Sequence, residues 1–451
     1  MKRLLAFLMA IFLMPATVLA EIPAEPVEAV VALMQTDVGA DTLYQHMHPD
    51  VQAALGTESI KAIWPQLTAI GGKYLGLADN AETALQGEYT VYSRALQFEN
   101  CFFLCQLSVT QDNRIYGLWF NPVHITLNFG ARNDAFSEEE VLIGEEPWTL
   151  PGTLTLPAEG EGPFPAVVLV HGSGPADRNE SIGVVKPFRD LAEGLAQQGI
   201  AVLRYDKRTY VYGQQIAASE DYVRFTVEEE TIQDALYAGR LLAADSRIDS
   251  TRIFVLGHSL GGMLAPRLVS ESDGLYCGMI LACASNRSLL DIILRQNEDA
   301  LSDGHYSETY AEAVRAQLDQ ARKAAEALRD MPAETALQST MLGQSAYYYW
   351  DMAQHPAPAE YLHKLQLPVL IINGSRDFQV NEEEGRLSWE KALDLDQPWI
   401  TTLFTDVNHM LMKPEVDDAI AGTSMEYNIE CTVDGTVTEA IADFILTNGG
   451  N

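Results

Sequence analysis

The stretch Ile253-Phe254-Val255-Leu256-Gly257-His258-Ser259-Leu260-Gly261-Gly262 decides the fold of this chain. A short apolar run, typical of a buried strand, leads into a G-x-S-x-G pattern, and a helical pattern over Leu260–Val269 follows. In that strand–turn–helix setting the glycines permit a tight turn, and the serine is held out above the end of the sheet. Ser259 is therefore the candidate nucleophile.

Strand and helix patterns alternate on both sides of this stretch, from about residue 141 to the end of the chain. Strands buried on both faces and joined by helical crossovers predict an α/β architecture with a mostly parallel sheet. The predicted strands are Ala166–Val170, Ala201–Tyr205, Ile253–Leu256, Met279–Ala284, Val369–Ile372 and Ile400–Phe404, and the predicted helices are Pro187–Gln198, Val227–Ala244 and Leu260–Val269.

One interval, from about residue 286 to 365, breaks the alternation and contains no strand pattern. Helical patterns near Leu289–Leu301 and Tyr310–Leu328 fill part of it, because an insertion of this length needs structure of its own. Its aromatic run Tyr348-Tyr349-Trp350 favours a helical lid with substrate-binding rings. Aromatic residues are also common in cores, so a plain structural excursion is the alternative.

A serine hydroxyl needs a base, and the base needs an acid to orient it. In this strand order the nucleophile is followed along the chain by the acid and then by the histidine. Asp377 follows the predicted strand Val369–Ile372, and His409 follows Ile400–Phe404. Asp406, three residues before His409, is the other candidate acid, but it shares the histidine's own loop. We therefore predict Ser259, Asp377 and His409 as the catalytic residues.

Attack on a carbonyl also requires N–H donors for the oxyanion. The N–H of Leu260, directly after the nucleophile, is one candidate, and Ser173 is the other, with Gly172 as second choice. His171 precedes the nucleophile, which is the wrong order for the base, so we expect it to shape the loop. The charged pieces Asp177-Arg178 and Asp206-Lys207-Arg208 either pair to brace this loop or are simply solvated.

The region before residue 141 carries different signals. Residues 1–20 have a basic start, an apolar run and small residues before the cut, which predicts a secretory signal peptide cleaved after Ala20. Residues 25–131 show helical patterns and then strand patterns, which favour a small α+β domain. The polar, acidic residues 132–140 indicate a linker.

Composition narrows the function classes. The 451 residues include 29 Lys plus Arg against 63 Asp plus Glu, a net charge of −34. A surface this acidic repels nucleic acids and anionic membranes, so we expect neither as a partner. The 5 cysteines leave at least one free thiol, and Cys101 and Cys105 could pair only if the chain bends between them. No set of cysteines and histidines has zinc spacing, so we expect no metal and no cofactor.

Four motifs together resemble secreted bacterial α/β-hydrolases of the dienelactone-hydrolase and serine-aminopeptidase-like group. They are His171-Gly172-Ser173-Gly174-Pro175-Ala176-Asp177-Arg178, Leu203-Arg204-Tyr205-Asp206-Lys207-Arg208, Gly257-His258-Ser259-Leu260-Gly261-Gly262 and Asn373-Gly374-Ser375-Arg376-Asp377. Members usually continue Asp-Lys-Arg with Gly, where this chain has Thr209. The N-terminal region is similar to small cone-shaped domains of the nuclear-transport-factor type.

The resemblance implies an α/β-hydrolase fold over residues 141–451 and a serine hydrolase that needs no cofactor. We expect a secreted enzyme that cleaves small carboxylic esters through an acyl-enzyme intermediate. A peptidase or amidase with the same triad, or a catalytically inactive binding protein, is the alternative.

Overall fold

The structure, a computed structural model, describes residues 26–54, 56–77, 82–86, 89–98, 102–123, 135–160, 162–302, 308–416 and 420–448. The predicted signal peptide, Cys101 and the first residues of the predicted linker lie outside the described residues. The chain divides into two compact units, Met1–Gly130 and Ala131–Asn451.

The first unit is a small α+β domain with an antiparallel sheet. Its helices are α1 (Pro26–Met34), α2 (Asp37–Gln45), α3 (Pro49–Ala54), α4 (Thr57–Lys61) and α5 (Ile63–Gly71), and its strands are β1 (Tyr74–Leu77), β2 (Glu82–Gln86), β3 (Tyr89–Phe98), β4 (Phe102–Val109) and β5 (Ile115–Val123). The strands follow the order β1-β3-β4-β5, and β2 pairs with β3. Val30, Leu43, Phe103 and Leu118 are among the residues that form the core.

The second unit is built on an eight-stranded sheet. Its strands are β6 (Phe136–Ile143), β7 (Leu150–Pro157), β8 (Phe164–Val170), β9 (Ala201–Tyr205), β10 (Ile248–His258), β11 (Gly278–Ala282), β14 (Val369–Gly374) and β15 (Ile400–Thr405), and a hairpin outside the sheet contains β12 (Thr340–Met341) and β13 (Gln344–Ser345). The strands lie in the order β15-β14-β11-β10-β8-β9-β7-β6. The six strands from β15 to β9 in this order run parallel to one another, whereas β7 runs antiparallel to both β9 and β6.

Helices cover both faces of this sheet, so the mostly parallel α/β architecture is confirmed. Val168 and Val170 face one apolar core, and Val167 and Leu169 face the other, because successive side chains of a strand point to opposite faces. The helices of this unit are α6 (Pro187–Ala196), α7 (Arg208–Ala218), α8 (Gln233–Ala244), α9 (Leu260–Ser270), α10 (Leu289–Ser302), α11 (Glu308–Ala327), α12 (Ala333–Leu337), α13 (Ala346–Gln354), α14 (Pro358–Leu365), α15 (Arg386–Ala392) and α16 (Gly435–Asn448).

The predicted linker is wrong at its C-terminal end. Residues 136–140 belong to β6, which pairs along its whole length with β7. The run Glu138-Glu139-Glu140 suggested solvated chain, but it lies on an edge strand, where each side chain can reach solvent or a cation. Neither β6 nor β7 was among the predicted strands.

The interval between β11 and β14 is a helical insertion, defined here as residues 289–365. It contains α10 to α14 and the short hairpin β12–β13. The predicted helices Leu289–Leu301 and Tyr310–Leu328 correspond to α10 and α11. Among the described residues, no helix combines the length and apolar character that crossing a membrane requires.

Candidate active site

Ser259 occupies the sharp turn between β10 and α9. Its backbone has φ 53° and ψ −116°, a conformation that costs about 1–3 kcal/mol for a residue other than glycine. Its N–H donates to the carbonyl of Ala282 on β11 (2.8 Å), which holds the turn against the sheet. The side chain is half-buried, so its hydroxyl can meet a substrate.

The glycines of the motif are required by close packing. A Cβ atom on Gly257 would lie 2.2 Å from the carbonyl oxygen of Gly261, and one on Gly261 would lie 2.4 Å from that of Val170. Such distances are far inside van der Waals contact. The sequence therefore brings the start of α9 against the ends of β8 and β10.

Asp377 and His409 form a buried pair at the carboxyl ends of β14 and β15. Nδ1 of His409 lies 2.7 Å from Oδ2 of Asp377. A carboxylate oxygen accepts, so Nδ1 of His409 donates this hydrogen bond and Nε2 is the ring nitrogen that faces away from Asp377. The other carboxylate oxygen, Oδ1, accepts from the N–H groups of Gln379 (2.9 Å) and Val380 (2.8 Å). The carboxylate is thus fixed, and it holds the imidazole ring of His409 in one orientation.

Asp406, the other candidate acid, lies elsewhere. Its carboxylate is exposed and pairs with Lys413 at 2.6 Å and with the hydroxyl of Ser375 at 3.3 Å. These contacts lower the pKa of Asp406, led by the hydrogen bond from Lys413. The geometry brings Asp377 to the histidine and leaves Asp406 in solvent.

A second buried network, absent from the sequence predictions, joins the nucleophile turn to the loop after β8. Nε2 of His258 donates to the carbonyl of His409 (2.7 Å), and its Nδ1 lies 3.0 Å from Oε2 of Glu180. Burial by itself would lower the pKa of His258, but Glu180 outweighs that effect and leaves this pKa raised. Oε1 of Glu180 accepts from the N–H of Gly172 (2.7 Å).

This network favours Ser173 over Gly172 as the candidate oxyanion donor on that loop. The N–H of Gly172 is already bonded to Glu180, whereas Ser173, the next residue, is exposed. Gly172 lies against the nucleophile, since a Cβ atom added there would be 3.1 Å from Cβ of Ser259. The N–H of Leu260 is the first of α9, and the first N–H groups of a helix have no intrahelical acceptor.

His171 has the shaping position expected for it. Nε2 of His171 lies 2.9 Å from the carbonyl of Asp177, so the ring closes the loop on itself. Burial lowers the pKa of His171 to about 4. The side chain is therefore neutral at pH 7.

The charged pieces at the neighbouring strand ends pair with one another. Arg178 donates to both carboxylate oxygens of Asp206, at 3.1 and 3.0 Å, and its own N–H donates to Asp206 at 2.8 Å. Lys207 is buried, and its Nζ donates to the carbonyls of Gly172 and Gly174. The bracing alternative, rather than simple solvation, describes Arg178, Asp206 and Lys207, whereas Arg208 pairs with Asp234 instead.

The donor atoms of His258, Cys283 and His409 lie within 4.8 Å of one another, a spacing that a metal ion could use. However, both nitrogens of His258 and Nδ1 of His409 already have partners. Burial, followed by the charge of Asp377, raises the pKa of Cys283 well above its usual value, so the group is a thiol. Neighbouring groups of the protein thus lie against three of the four ring nitrogens in this cluster.

A cavity of about 490 Å³ lies between α9 and the helical insertion. Met263 and Leu264, one turn after Ser259, line it together with Leu290, Tyr349 and Met352. None of the three predicted catalytic residues is part of its lining. The cavity therefore begins beside the nucleophile's helix and extends under the insertion.

The three predicted substrate-binding rings separate in the structure. Tyr349 lines the cavity. Tyr348 is buried elsewhere, and its hydroxyl donates to Oε2 of Glu230 at 2.7 Å. Trp350 donates through Nε1 to the carbonyl of Met331 (2.7 Å) and stacks on Tyr347. Tyr348 and Trp350 are not part of the lining of this cavity, because the rings of consecutive residues leave a helix in different directions. Their role in substrate binding stays a prediction.

Comparison with known proteins agrees with this architecture. Residues 167–423, more than half of the chain, match the sequence model of the alpha/beta hydrolase family. The chain belongs to that family. Esterase EstD of Thermotoga maritima is 33% identical over 399 residues, which are 88% of this chain and 89% of EstD. The chain is thus a hydrolase homologous to esterases.

Two further similarities are more distant. The uncharacterized peptidase YtmA of Bacillus subtilis is 25% identical over 258 residues, 57% of this chain and 80% of that protein. The structure of the Pyrococcus furiosus esterase Pf2001 aligns with a TM-score of 0.43 and 18% identity, covering 73% of this chain and 98% of that chain.

Proposed function

We propose that this chain is a serine carboxylesterase that cleaves small-molecule esters with Ser259, His409 and Asp377. The buried Asp377–His409 hydrogen bond is the observation that carries the proposal, because it leaves a lone pair on Nε2 of His409. The strained, half-buried turn at Ser259 and the similarity to EstD support it.

In this mechanism Oγ of Ser259 attacks the acyl carbonyl while Nε2 of His409 takes the hydroxyl proton. The tetrahedral oxyanion accepts hydrogen bonds from the N–H groups of Leu260 and Ser173. His409 then gives its proton to the leaving alcohol as the carbon–oxygen bond breaks. Water, deprotonated by the same nitrogen, hydrolyses the acyl-enzyme and regenerates the free serine. Asp377 holds the imidazole and stabilises its cation.

The test is hydrolysis of a short-chain p-nitrophenyl ester by the full chain and by Ser259→Ala. We expect turnover and fluorophosphonate labelling to disappear together in the variant, while its melting temperature stays close to that of the parent. Because triad members act as a unit, adding His409→Ala to Ser259→Ala costs little further activity. Full ester hydrolysis by folded Ser259→Ala would refute the assignment.

The same residues could cleave amides, and the similarity to YtmA, named as a peptidase, makes this the second candidate. An aminoacyl p-nitroanilide, assayed beside the ester, separates the two activities. We expect kcat/KM to be larger for the ester. An inactive binding protein, the third alternative, would fail to react with the fluorophosphonate.

We further propose that the helical insertion is a lid and that the cavity beneath it receives part of the substrate. Tyr349 is the ring of the lid that faces the substrate. Met263 and Leu264 line the same cavity from α9, the helix that follows Ser259. The apolar side chains in its lining suit the apolar chain of an ester.

Export is also a proposal, supported by the pattern of residues 1–20. Expression of the full chain in a bacterium, followed by N-terminal sequencing of the exported protein, tests it. We expect the mature protein to begin at Glu21; an uncut, retained chain would contradict export.

A further inference from the structure

Lys207 is a buried cation whose three ammonium hydrogens all have acceptors beside the candidate oxyanion loop. Its side chain donates to the carbonyls of Gly172 (2.8 Å) and Gly174 (3.1 Å) and to Oε1 of Glu230 (2.6 Å). Only 1% of Lys207 is exposed. A lysine in such a place costs desolvation energy, which calls for compensation from every one of its contacts.

The two carbonyls lie on either side of the proposed donor, Ser173. The carbonyl of Gly172 and the N–H of Ser173 belong to the same peptide unit, which is planar, and in a trans peptide they point in opposite directions. Fixing the oxygen of Gly172 therefore fixes the direction of the Ser173 N–H. The preceding peptide is fixed too, because the N–H of Gly172 donates to Glu180.

A carboxylate and a tyrosine from other elements hold the lysine in place. Oε2 of Glu230 accepts from the hydroxyl of Tyr348 (2.7 Å), while Oε1 receives Lys207. Glu230 lies in a single π-helical turn (Glu228–Ile232) before α8, and Tyr348 lies on α13 of the helical insertion. Irregular turns of this kind are frequent at functional sites.

We propose that Lys207 is a positioning residue that aims the Ser173 N–H at the oxyanion, with Glu230 and Tyr348 holding its ammonium group. This inference rests on the proposed function. The cation also draws electron density toward the Gly172 oxygen, which strengthens the N–H of Ser173 as a donor. Through Tyr348, the seating of the helical insertion is linked to the geometry of the oxyanion site.

The test is the double variant Lys207→Met/Glu230→Gln, which removes both buried charges together and leaves neither unpaired. Removal of a whole oxyanion donor typically lowers kcat by about 10²–10³-fold. Misaiming one donor should lower kcat by about 30-fold, with KM changed by less than about 3-fold. Affinity for a trifluoromethyl ketone, which forms a tetrahedral oxyanion adduct with serine, should fall by a similar factor.

The chain offers a matched control one residue away. Arg208 and Asp234 form a pair of comparable burial, with Nε of Arg208 donating to Oδ2 of Asp234 at 3.1 Å, and neither side chain has a hydrogen bond to residues 172–174 among the described residues. The double variant Arg208→Met/Asp234→Asn should keep kcat and ketone affinity within about 3-fold of the parent, whatever its melting temperature. If kcat and ketone affinity fall as much in this control as in Lys207→Met/Glu230→Gln, Lys207 has only a structural role.

A milder variant keeps the proposal testable if the double variant fails to fold. Tyr348→Phe removes only the hydroxyl that holds Glu230, and Tyr347→Phe removes a neighbouring hydroxyl on the same helix. We expect kcat and ketone affinity to fall about 3-fold in the first and to stay unchanged in the second, since the Tyr348 hydroxyl acts on Lys207 only through Glu230.

The outcomes separate this inference from the proposed function. Parent-like kcat and ketone affinity in folded Lys207→Met/Glu230→Gln, or in Tyr348→Phe if the double variant does not fold, would overturn the positioning role alone. Activity in Ser259→Ala would overturn the triad itself, and with it the premise of an oxyanion on Ser259.

Discussion

The two sides of Ser259 are built differently. On the proposed acid–base side, Asp377 and His409 follow adjacent strands and are joined by one side-chain hydrogen bond. On the proposed oxyanion side, Lys207 after β9 holds an irregular loop. Lys207 is held in turn by Glu230 of the π-helical turn, which Tyr348 of α13 contacts. Reacting groups can be placed by strand ends alone, whereas backbone donors need side chains around them to fix their direction.

The largest effect should come from breaking the acid–base side. Asp377→Asn preserves shape but favours the wrong imidazole tautomer at His409. In serine proteases with a triad of the same three residue types, that change lowers kcat about 10⁴-fold. We expect a loss of several orders of magnitude here, measured with a short-chain ester at neutral pH.

Asp406→Asn is the matched control, since Asp406 is exposed and bonded to Lys413. It should change kcat by less than about 3-fold, as expected for a surface ion pair. The reverse ranking of the two folded variants would transfer the acid role to Asp406.

A smaller effect should follow from Glu180→Gln on the oxyanion side. The amide can still accept from Gly172, but the change removes the negative charge that raises the pKa of His258 and presents an N–H₂ to Nδ1 of that ring. We expect kcat to fall about 10-fold, with ketone affinity falling in parallel. Asp234→Asn, a change at a buried carboxylate without a contact to this loop, should leave both unchanged. Parallel losses in the two variants would point to general destabilisation.

The sequence predicted the acid–base side because its signals are local. Strand patterns placed Asp377 and His409 at the ends of β14 and β15, and the G-x-S-x-G motif placed Ser259 at its turn. Glu180, His258 and Glu230 were missed, because a buried carboxylate or imidazole has no signature when its partner is distant in sequence. The one available signal was the position of His258 inside the G-x-S-x-G motif, directly before Ser259.

The same reasoning explains what the sequence could not predict about the aromatic run of the helical insertion. Periodicity separates helix from strand, so α10 and α11 were found, but it does not tell which of three adjacent aromatic rings faces a cavity. Only the packing of α13 decides that Tyr349 lines the cavity, that Tyr348 meets Glu230 and that Trp350 meets Met331.

Tyr349→Ala tests whether the cavity that Tyr349 lines binds the acyl chain. The ratio of kcat/KM for medium-chain to short-chain esters should change by about 10-fold, because a cavity discriminates about 1–3 kcal/mol per methylene. Trp350→Phe, which loses its bond to Met331, should lower the melting temperature without changing this ratio. An unchanged ratio in Tyr349→Ala would place the acyl chain outside this cavity.

The smallest effect on rate should come from His171→Gln. This substitution should instead change how the free energy of unfolding depends on pH. The pKa of His171 is about 4 in the folded chain and about 6.5 when unfolded. Between these values the unfolded chain binds the extra proton, so this residue's contribution to stability is complete above pH 6.5 and is lost as pH falls toward 4.

Replacement by glutamine should therefore make the free energy of unfolding less sensitive to acid. Chemical denaturation of parent and variant at pH 7 and pH 5 measures this, and the difference between the two pH values should be about 2 kcal/mol smaller in the variant. Equal acid sensitivity would show that His171 is protonated in the folded chain or does not titrate in the unfolded one.

The charges of the edge strand β6 affect how copies of this protein associate in concentrated solution. An unpaired sheet edge is a template on which another strand can add. Glu138 and Glu140 point to one face, where they meet Arg204 and Arg178, and Glu139 points to the other and meets Arg247. Three successive carboxylates on this rim would face their own copies if two molecules joined edge to edge. The charges that imitate a flexible linker in the sequence thus oppose fibre-like association of the folded enzyme.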